Sequence, residues 1–299
     1  MTKFSAHPSF SSSVDVAYVI ICQYGFSALY ANKSLVTIEQ EFAKSIKGME
    51  EHNHKLALTM MQPCKDVVYK LRTGLDPEPA SLYGEEEKVL NDYFARAVLS
   101  LLKAIGAFLF RDLHQAKDYA VLSLDRFRRQ PMFTAIVCQG QFYAALMFAS
   151  CLRWTKVSAR EKIWYRREIR RATKSLEKWA EANPGNCSSK LYLLEAEIAS
   201  LDGDTKRADM KYMSALSLSA SENFGLEYAL GNELAARSML SRSNSSSDGA
   251  RHHMEIAYMS YMKWGAVGKA NHLKKEMNGM FSPSIDWESI PPSASKDSR

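Results

Sequence analysis

Lys190-Leu191-Tyr192-Leu193-Leu194-Glu195-Ala196-Glu197-Ile198-Ala199, followed by Asp202-Gly203-Asp204 and then by Ala208, Tyr212 and Ala215, is the stretch that decides the fold. Its apolar side chains recur at three and four, as in Leu191, Leu194, Ile198 and Leu201, which is the period of a helix and not the alternation of a strand. Gly203 breaks that helix and Asp204 can cap the next one. The connection is so short that the two helices must lie antiparallel. Ala196 is followed twelve positions later by Ala208, after four more by Tyr212 and after a further three by Ala215. Small side chains at such places let paired helix backbones approach closely.

The same spacing returns at Ala104, Ala116, Ala120 and Ser123, and more loosely at Ser238, Ala250, Met254 and Ala257. It is a degenerate form of the tetratricopeptide pattern, whose period is about 34 residues. Gly and Pro cluster at Gly74 to Pro79, Gln130-Pro131, Asn183-Pro184-Gly185, Asp202-Gly203-Asp204 and Pro283 to Pro292. Between these breaks the periodicity predicts helices near 12–31, 34–48, 52–73, 85–110, 113–128, 132–152, 158–182, 187–201, 204–220, 223–242, 248–264 and 266–278. Pro184 and Gly185 are expected to end the helix that holds Trp179. No Asn-Gly or Asp-Gly pair sits between alternating β-branched residues, so strands are not expected. The expected fold class is all-α, a tetratricopeptide-like α-α superhelix of stacked antiparallel hairpins. It spans 12–280, after a flexible 1–11 and before a disordered Ser/Pro-rich tail, 281–299.

The chain has 299 residues, 46% of them hydrophobic and 24% charged, enough to bury a core and too few charges for a disordered chain. Val98 to Phe110 and Thr134 to Leu152 are the most apolar stretches, and each is too short or interrupted to span a bilayer. With no signal-peptide pattern at the start, a cytoplasmic chain is expected. Five dispersed cysteines, Cys22, Cys64, Cys138, Cys151 and Cys187, form no C-x-x-C pair and read as reduced, mostly buried thiols. His52 and His54, like His252 and His253, would point to different sides of a helix, so no metal site is expected.

Catalytic motifs are missing. Gly265-Ala266-Val267-Gly268-Lys269 lacks the spacing and the hydroxyl of a phosphate-binding loop, and no G-x-G-x-x-G, H-R-D, D-F-G, H-E-x-x-H or G-x-S-x-G occurs. Glu85 to Glu87 and the pair Glu195 and Glu197 read as solvated or helix-start acids. The expectation is a chain without enzymatic activity, catalytic residues or cofactor.

The net charge of +6 is mild, but its distribution is uneven: from Arg153 to Lys174 nine basic residues meet only Glu161 and Glu168. On a helix Arg160, Arg167, Arg171, Lys174 and Lys178 share one side, and Ile169, Ala172, Leu176 and Trp179 another. Three readings of that basic side stand open: a solvated outer face, a site for an acidic protein or phosphate, and, with Trp154, Trp164 and Tyr165 nearby, an RNA-binding face. Near the end, Ile285-Asp286-Trp287-Glu288-Ser289-Ile290 is either a short docking peptide or a tail whose Trp287 folds back on the last helix.

Four blocks of the second half carry a resemblance. They are Leu176-Glu177-Lys178-Trp179-Ala180-Glu181, then Lys190 to Ala199, then Asn232-Glu233-Leu234-Ala235-Ala236-Arg237, and last Ala257 to Ala266, which reads Ala-Tyr-Met-Ser-Tyr-Met-Lys-Trp-Gly-Ala. In this order and spacing they resemble the helical segment of the very large multi-sensor signalling kinases of cyanobacteria, other bacteria and some eukaryotes. There, a Ser/Thr kinase-like domain and an AAA-type ATPase precede this segment, and a GAF sensor and a histidine kinase often follow it. The likeness extends over about residues 14–278, and Ser243 to Gly249 departs from it as a serine-rich stretch expected to lengthen a hairpin turn. None of the family's catalytic domains is present, so the resemblance implies a scaffold or coupling module whose partners are kinase, ATPase or sensor domains. Trp179, Tyr192, Tyr258, Tyr261 and Trp264 are expected to pack, and Glu233 with Arg237 to form a buried or groove-lining polar pair. Candidate partner-binding residues are therefore Arg160, Arg167, Arg171, Lys174, Lys178, Glu233, Arg237 and Trp287.

Overall fold

A computed structural model of the chain describes residues 20–281, apart from 23, 26, 31–32, 78–92, 130–133 and 243–246. Among the described residues the regular structure is entirely α-helical. The long helices are α1 (Leu35–Glu51), α2 (Lys55–Thr73), α3 (Tyr93–Leu109), α4 (Leu113–Arg129), α5 (Thr134–Trp154) and α6 (Ala159–Ala182), then α7 (Pro184–Leu201), α8 (Thr205–Ser221), α9 (Gly225–Leu240), α10 (Ser247–Trp264) and α11 (Val267–Met280). The expected first helix, 12–31, lies largely outside the described residues. So do residues 1–11, Trp287 and the rest of the tail beyond Phe281, which is itself buried at the end of α11.

Local chemistry sets the helix ends. Ser34 caps α1, Asp204 caps α8, and Ser158 with Glu161 forms a reciprocal capping box on α6. Five turns between helices have one geometry: a left-handed residue (Asn53, Arg111, Gly203, Asn223 or Gly265), followed by a residue whose N–H bonds the carbonyl five positions back. These bonds run from His54 to Met49, Asp112 to Ala107, Asp204 to Ala199, Phe224 to Ser219 and Ala266 to Tyr261, at 2.8–2.9 Å. They satisfy carbonyls that the helix end would otherwise leave open.

Three readings of the chain need correction. Pro184 does not merely end α6: Asn183 alone separates the helices, and Pro184 opens α7 at a position where its missing N–H costs nothing. The connection is shifted from its expected place, because α9 ends at Leu240 and α10 already begins at Ser247. His52 and His54 do not sit within one helix; they flank the left-handed Asn53, and His54 Nδ1 accepts from Ala57 N at 3.2 Å to cap α2.

Helices adjacent in sequence pack as pairs, while α3, α5, α7 and α9 also touch one another in succession and form an inner layer. In α5, residues 142–149 are all buried, and α9 is buried from Leu226 to Ser238 apart from Tyr228. Helices apolar all round belong in an interior. All the residues of the three spaced patterns, from Ala104 to Ala257, are buried, so the small-residue spacing marks helix contacts as expected. Tyr261 and Trp264 are buried, and Trp179, Tyr192 and Tyr258 pack on the core edge.

The last helix returns to the first ones. α11 packs on α2, and Trp264 Nε1 donates to the Lys33 carbonyl at 3.0 Å. Gly74 ends α2 at φ 77° and meets Gly268 backbone to backbone, so that a Cβ on Gly268 would lie 2.0 Å from Gly74 N. Only glycine allows that approach. The array is closed on itself, and its inner surface is core instead of an open groove.

Candidate functional site

Inside this closed array lies a cluster of ionised side chains. Glu233 Oε1 accepts from Arg237 Nη2 at 2.7 Å, its Oε2 accepts from the Tyr261 hydroxyl at 3.1 Å, and Lys269 Nζ lies 3.1 and 3.0 Å from the two oxygens. Arg237 also reaches Glu276 of α11 at 2.6 Å. Glu233 and Arg237 are each 3% exposed and Lys269 is 0% exposed, so of the two placements open to the pair, buried and groove-lining, the buried one is found. Burial alone would raise the Glu233 carboxyl, but the charges of Lys269 and Arg237 outweigh it and hold the group far below the carboxylate range. For Lys269, burial prevails over Glu233 and lowers the ammonium from its ordinary value.

A second cluster adjoins it. Arg153 Nη1 lies 3.0 Å from Glu197 Oε2, and the Tyr212 hydroxyl donates to the other oxygen of Glu197. Arg111, which follows α3, places its guanidinium carbon 5.9 Å from the Trp154 ring, and burial followed by the charge of Arg237 pulls it down to about 10. Arg111, Arg153 and Arg237 thus gather at the C-terminal ends of α3, α5 and α9, where the helix dipoles favour cations. At the opposite end, Glu227 in the first turn of α9 pairs with Lys190 of α7 at 3.2 Å, both buried. These groups tie one inner helix to the next.

None of Arg111, Arg153, Glu197, Lys269 and Glu276 was a candidate site residue from sequence: Arg153 was counted in the basic run and Glu197 read as a solvated acid, whereas their side chains are 6% and 0% exposed and face each other inside the fold. The available signal was Lys269 lying one repeat length after Glu233 and Glu233 with Arg237 interrupting the apolar run of α9. The five cysteines are free and buried; burial, reinforced by Cys187 whose sulphur lies 4.0 Å away, raises Cys138 to about 12. No group of three or more His, Cys, Asp and Glu side chains fit to hold a metal ion occurs among the described residues.

On the outside, Arg160, Arg167, Arg171, Lys174 and Lys178 are all exposed along α6, as their spacing requires. Glu168, buried beneath them, is shared by Arg128, by Arg171 at 3.0 Å and by Arg167 at 3.8 Å. Of the three aromatic neighbours, Tyr165 stacks on Phe148 at 4.9 Å and Trp164 packs edge-on to Phe148 at 5.2 Å, while Trp154 stays 42% exposed. A separate cavity of about 650 Å³ opens between α10 and the turn from α8 to α9, lined by Tyr228, Ile256, Met259 and Trp264 together with Lys263, Glu255 and Ser34. Among the described residues no helix is long and apolar enough to cross a membrane. Compared with family models, curated proteins and solved structures, the chain matches none.

Proposed function

We propose that this chain is a non-catalytic, tetratricopeptide-like scaffold of the cytoplasm, related to the coupling segment of the multi-sensor signalling kinases it resembles. In this reading it holds a kinase, ATPase or sensor domain by an amphipathic helix seated between α10 and the turn from α8 to α9. The observation that carries the reading is the location of the apolar cavity. The inner layer, where an open helical array would receive a peptide, is filled with side chains, whereas the outer cavity presents Ile256, Met259 and Tyr228 half-buried to solvent. Its α10 wall runs from His252 to Lys263, about 16 Å or three helical turns, the length over which a helix displays three or four apolar anchors. Lys263 and Glu255 on the rim would set the orientation of a helix carrying both charge signs. The buried ionised groups are engaged with one another, which suits a structural role for them.

The test is affinity capture from the source cells with the full chain and with Met259→Asp. Proteins bearing kinase, AAA or sensor domains should be recovered with the first and lost with the second. Recovery unchanged by the substitution, or of nuclease-sensitive ribonucleoprotein alone, would overturn the reading.

A further inference from the structure

The outward side of α6 has a composition that packing does not explain. Ile163, in its second turn, is 72% exposed, and the residues at helical spacing from it, Arg160, Arg167, Arg170 and Lys174, are exposed cations. Glu161 is engaged by the Ser158 cap and by Lys117, and Glu168 is shared by Arg128, Arg167 and Arg171, which leaves Arg160, Lys162, Arg170 and Lys174 without a carboxylate partner among the described residues. Glu177 and Glu181 are exposed only in the last turns. Next in the outer layer, α8 turns out Met210 and Met213, 62% and 71% exposed, beside exposed Lys206 and Arg207. The α7–α8 turn that leads into it is tied to α6 by Arg166 and Asp202 at 2.9 Å.

Cations interleaved with separate, large aliphatic or thioether side chains match a particular chemistry. Nucleic acid would supply phosphates, but of the rings that could stack on bases Trp164 and Tyr165 are packed against Phe148, and Trp154, the exposed one, already faces the Arg111 guanidinium at 5.9 Å. An acidic protein would pair the cations, yet its interface core needs a contiguous apolar patch, and here the apolar groups stand apart among charges. A lipid headgroup layer accommodates each one singly while its phosphates and carboxylates meet the guanidinium and ammonium groups. We propose that the outer face of α6, flanked by α8, docks on an anionic phospholipid surface, with Ile163, Met210 and Met213 entering the headgroup boundary.

The experiment is co-sedimentation of the full chain with vesicles of phosphatidylcholine alone and of phosphatidylcholine with phosphatidylserine, at low and high salt. Expected are binding only with phosphatidylserine, weakening with salt, and a loss of at least about tenfold in Arg170→Glu/Lys174→Glu. Neither residue has an ion pair among the described residues, so the thermal melt of that variant should match the parent. Ile163→Ser/Met213→Ser should weaken binding several-fold and leave the salt dependence unaltered. Equal binding to both vesicles, no binding by the parent chain, or indifference to Ile163→Ser/Met213→Ser would overturn the proposal. So would displacement from vesicles by single-stranded RNA bound more tightly than lipid, which would return the face to nucleic acid.

Discussion

Glu233 in α9 and Glu168 in α6 are both buried carboxylates approached by several cations, and they stand in opposite situations. The partners of Glu233 are buried with it: the side chains of Arg237 and Lys269 are 4% and 0% exposed. The partners of Glu168 are not, since Arg128, Arg167 and Arg171 keep about half of each side chain in water. A contact list makes the two sites look alike. What separates them is the fate of the cations once the carboxylate is removed: those of α6 can turn to solvent, those beside Glu233 cannot.

The largest expected effect follows from that difference. Glu233→Leu should destabilise the fold by about 3–5 kcal/mol in urea denaturation, because Lys269 and Arg237 would be left charged in the interior. Glu168→Leu should change stability by about 1 kcal/mol or less. Equal losses would show that the exposed arginines of α6 are held as firmly as the buried cations, and the distinction would fall.

Acid should act on the same contrast. The Glu233 carboxyl is depressed in the folded state by Lys269 and Arg237 against the opposing effect of burial. Its contribution is therefore full above the unfolded carboxylate value of about 4.3 and is lost as pH falls through the depressed folded value. Melting temperature measured downward from neutral pH should drop more steeply below about pH 4.3 in the parent than in Glu233→Leu, which no longer has the group to protonate. Parallel profiles would remove the cluster as the source of acid sensitivity.

Closure of the array offers a perturbation away from both glutamates. Gly268→Ala pushes a methyl group into the backbone of Thr73 and Gly74, which has no side chain that can move aside. A loss of about 1–3 kcal/mol is expected, with faster amide exchange in α2 and α11 than in α6. Uniform exchange would mean that closure is not a separable feature.

Much of this architecture was legible in the residues, and the reasons are local. Period 3.6, the cap at Asp204 and the small-residue spacing around Ala196 and Ala208 are short-range signals, and they placed most helices within a few residues. Closure was not legible: Gly268 looked like part of a failed phosphate loop, and nothing near it in sequence names Gly74 as its neighbour. Burial of charge was only half legible, because Glu233 and Arg237 form an i, i+4 pair that reads the same in water or in a core. Their partner Lys269 lies on another helix. The basic side of α6 was readable from spacing, whereas the inward turn of Trp164 and Tyr165 depends on Phe148 of α5. Neither Ile163 nor the cavity beside Met259 carries any local mark.

The smallest expected effect concerns the edge of the buried cluster. Arg111 occupies the left-handed position of its turn at φ 65°, where the four like turns have Gly or Asn. That conformation costs a side chain such as arginine about 1 kcal/mol, and asparagine less, because its short amide bonds locally. Arg111→Asn therefore gains in the turn, and it removes a partly desolvated cation already disfavoured by burial and by Arg237. Against this stands the contact with Trp154, worth about 0.5–1 kcal/mol because that residue is 42% exposed. The two nearly cancel, so stability should change by less than about 0.5 kcal/mol, while the loss of the cation should shift Trp154 fluorescence. A loss above about 2 kcal/mol would instead place Arg111 with Arg237 and Lys269, among the cations the interior cannot release.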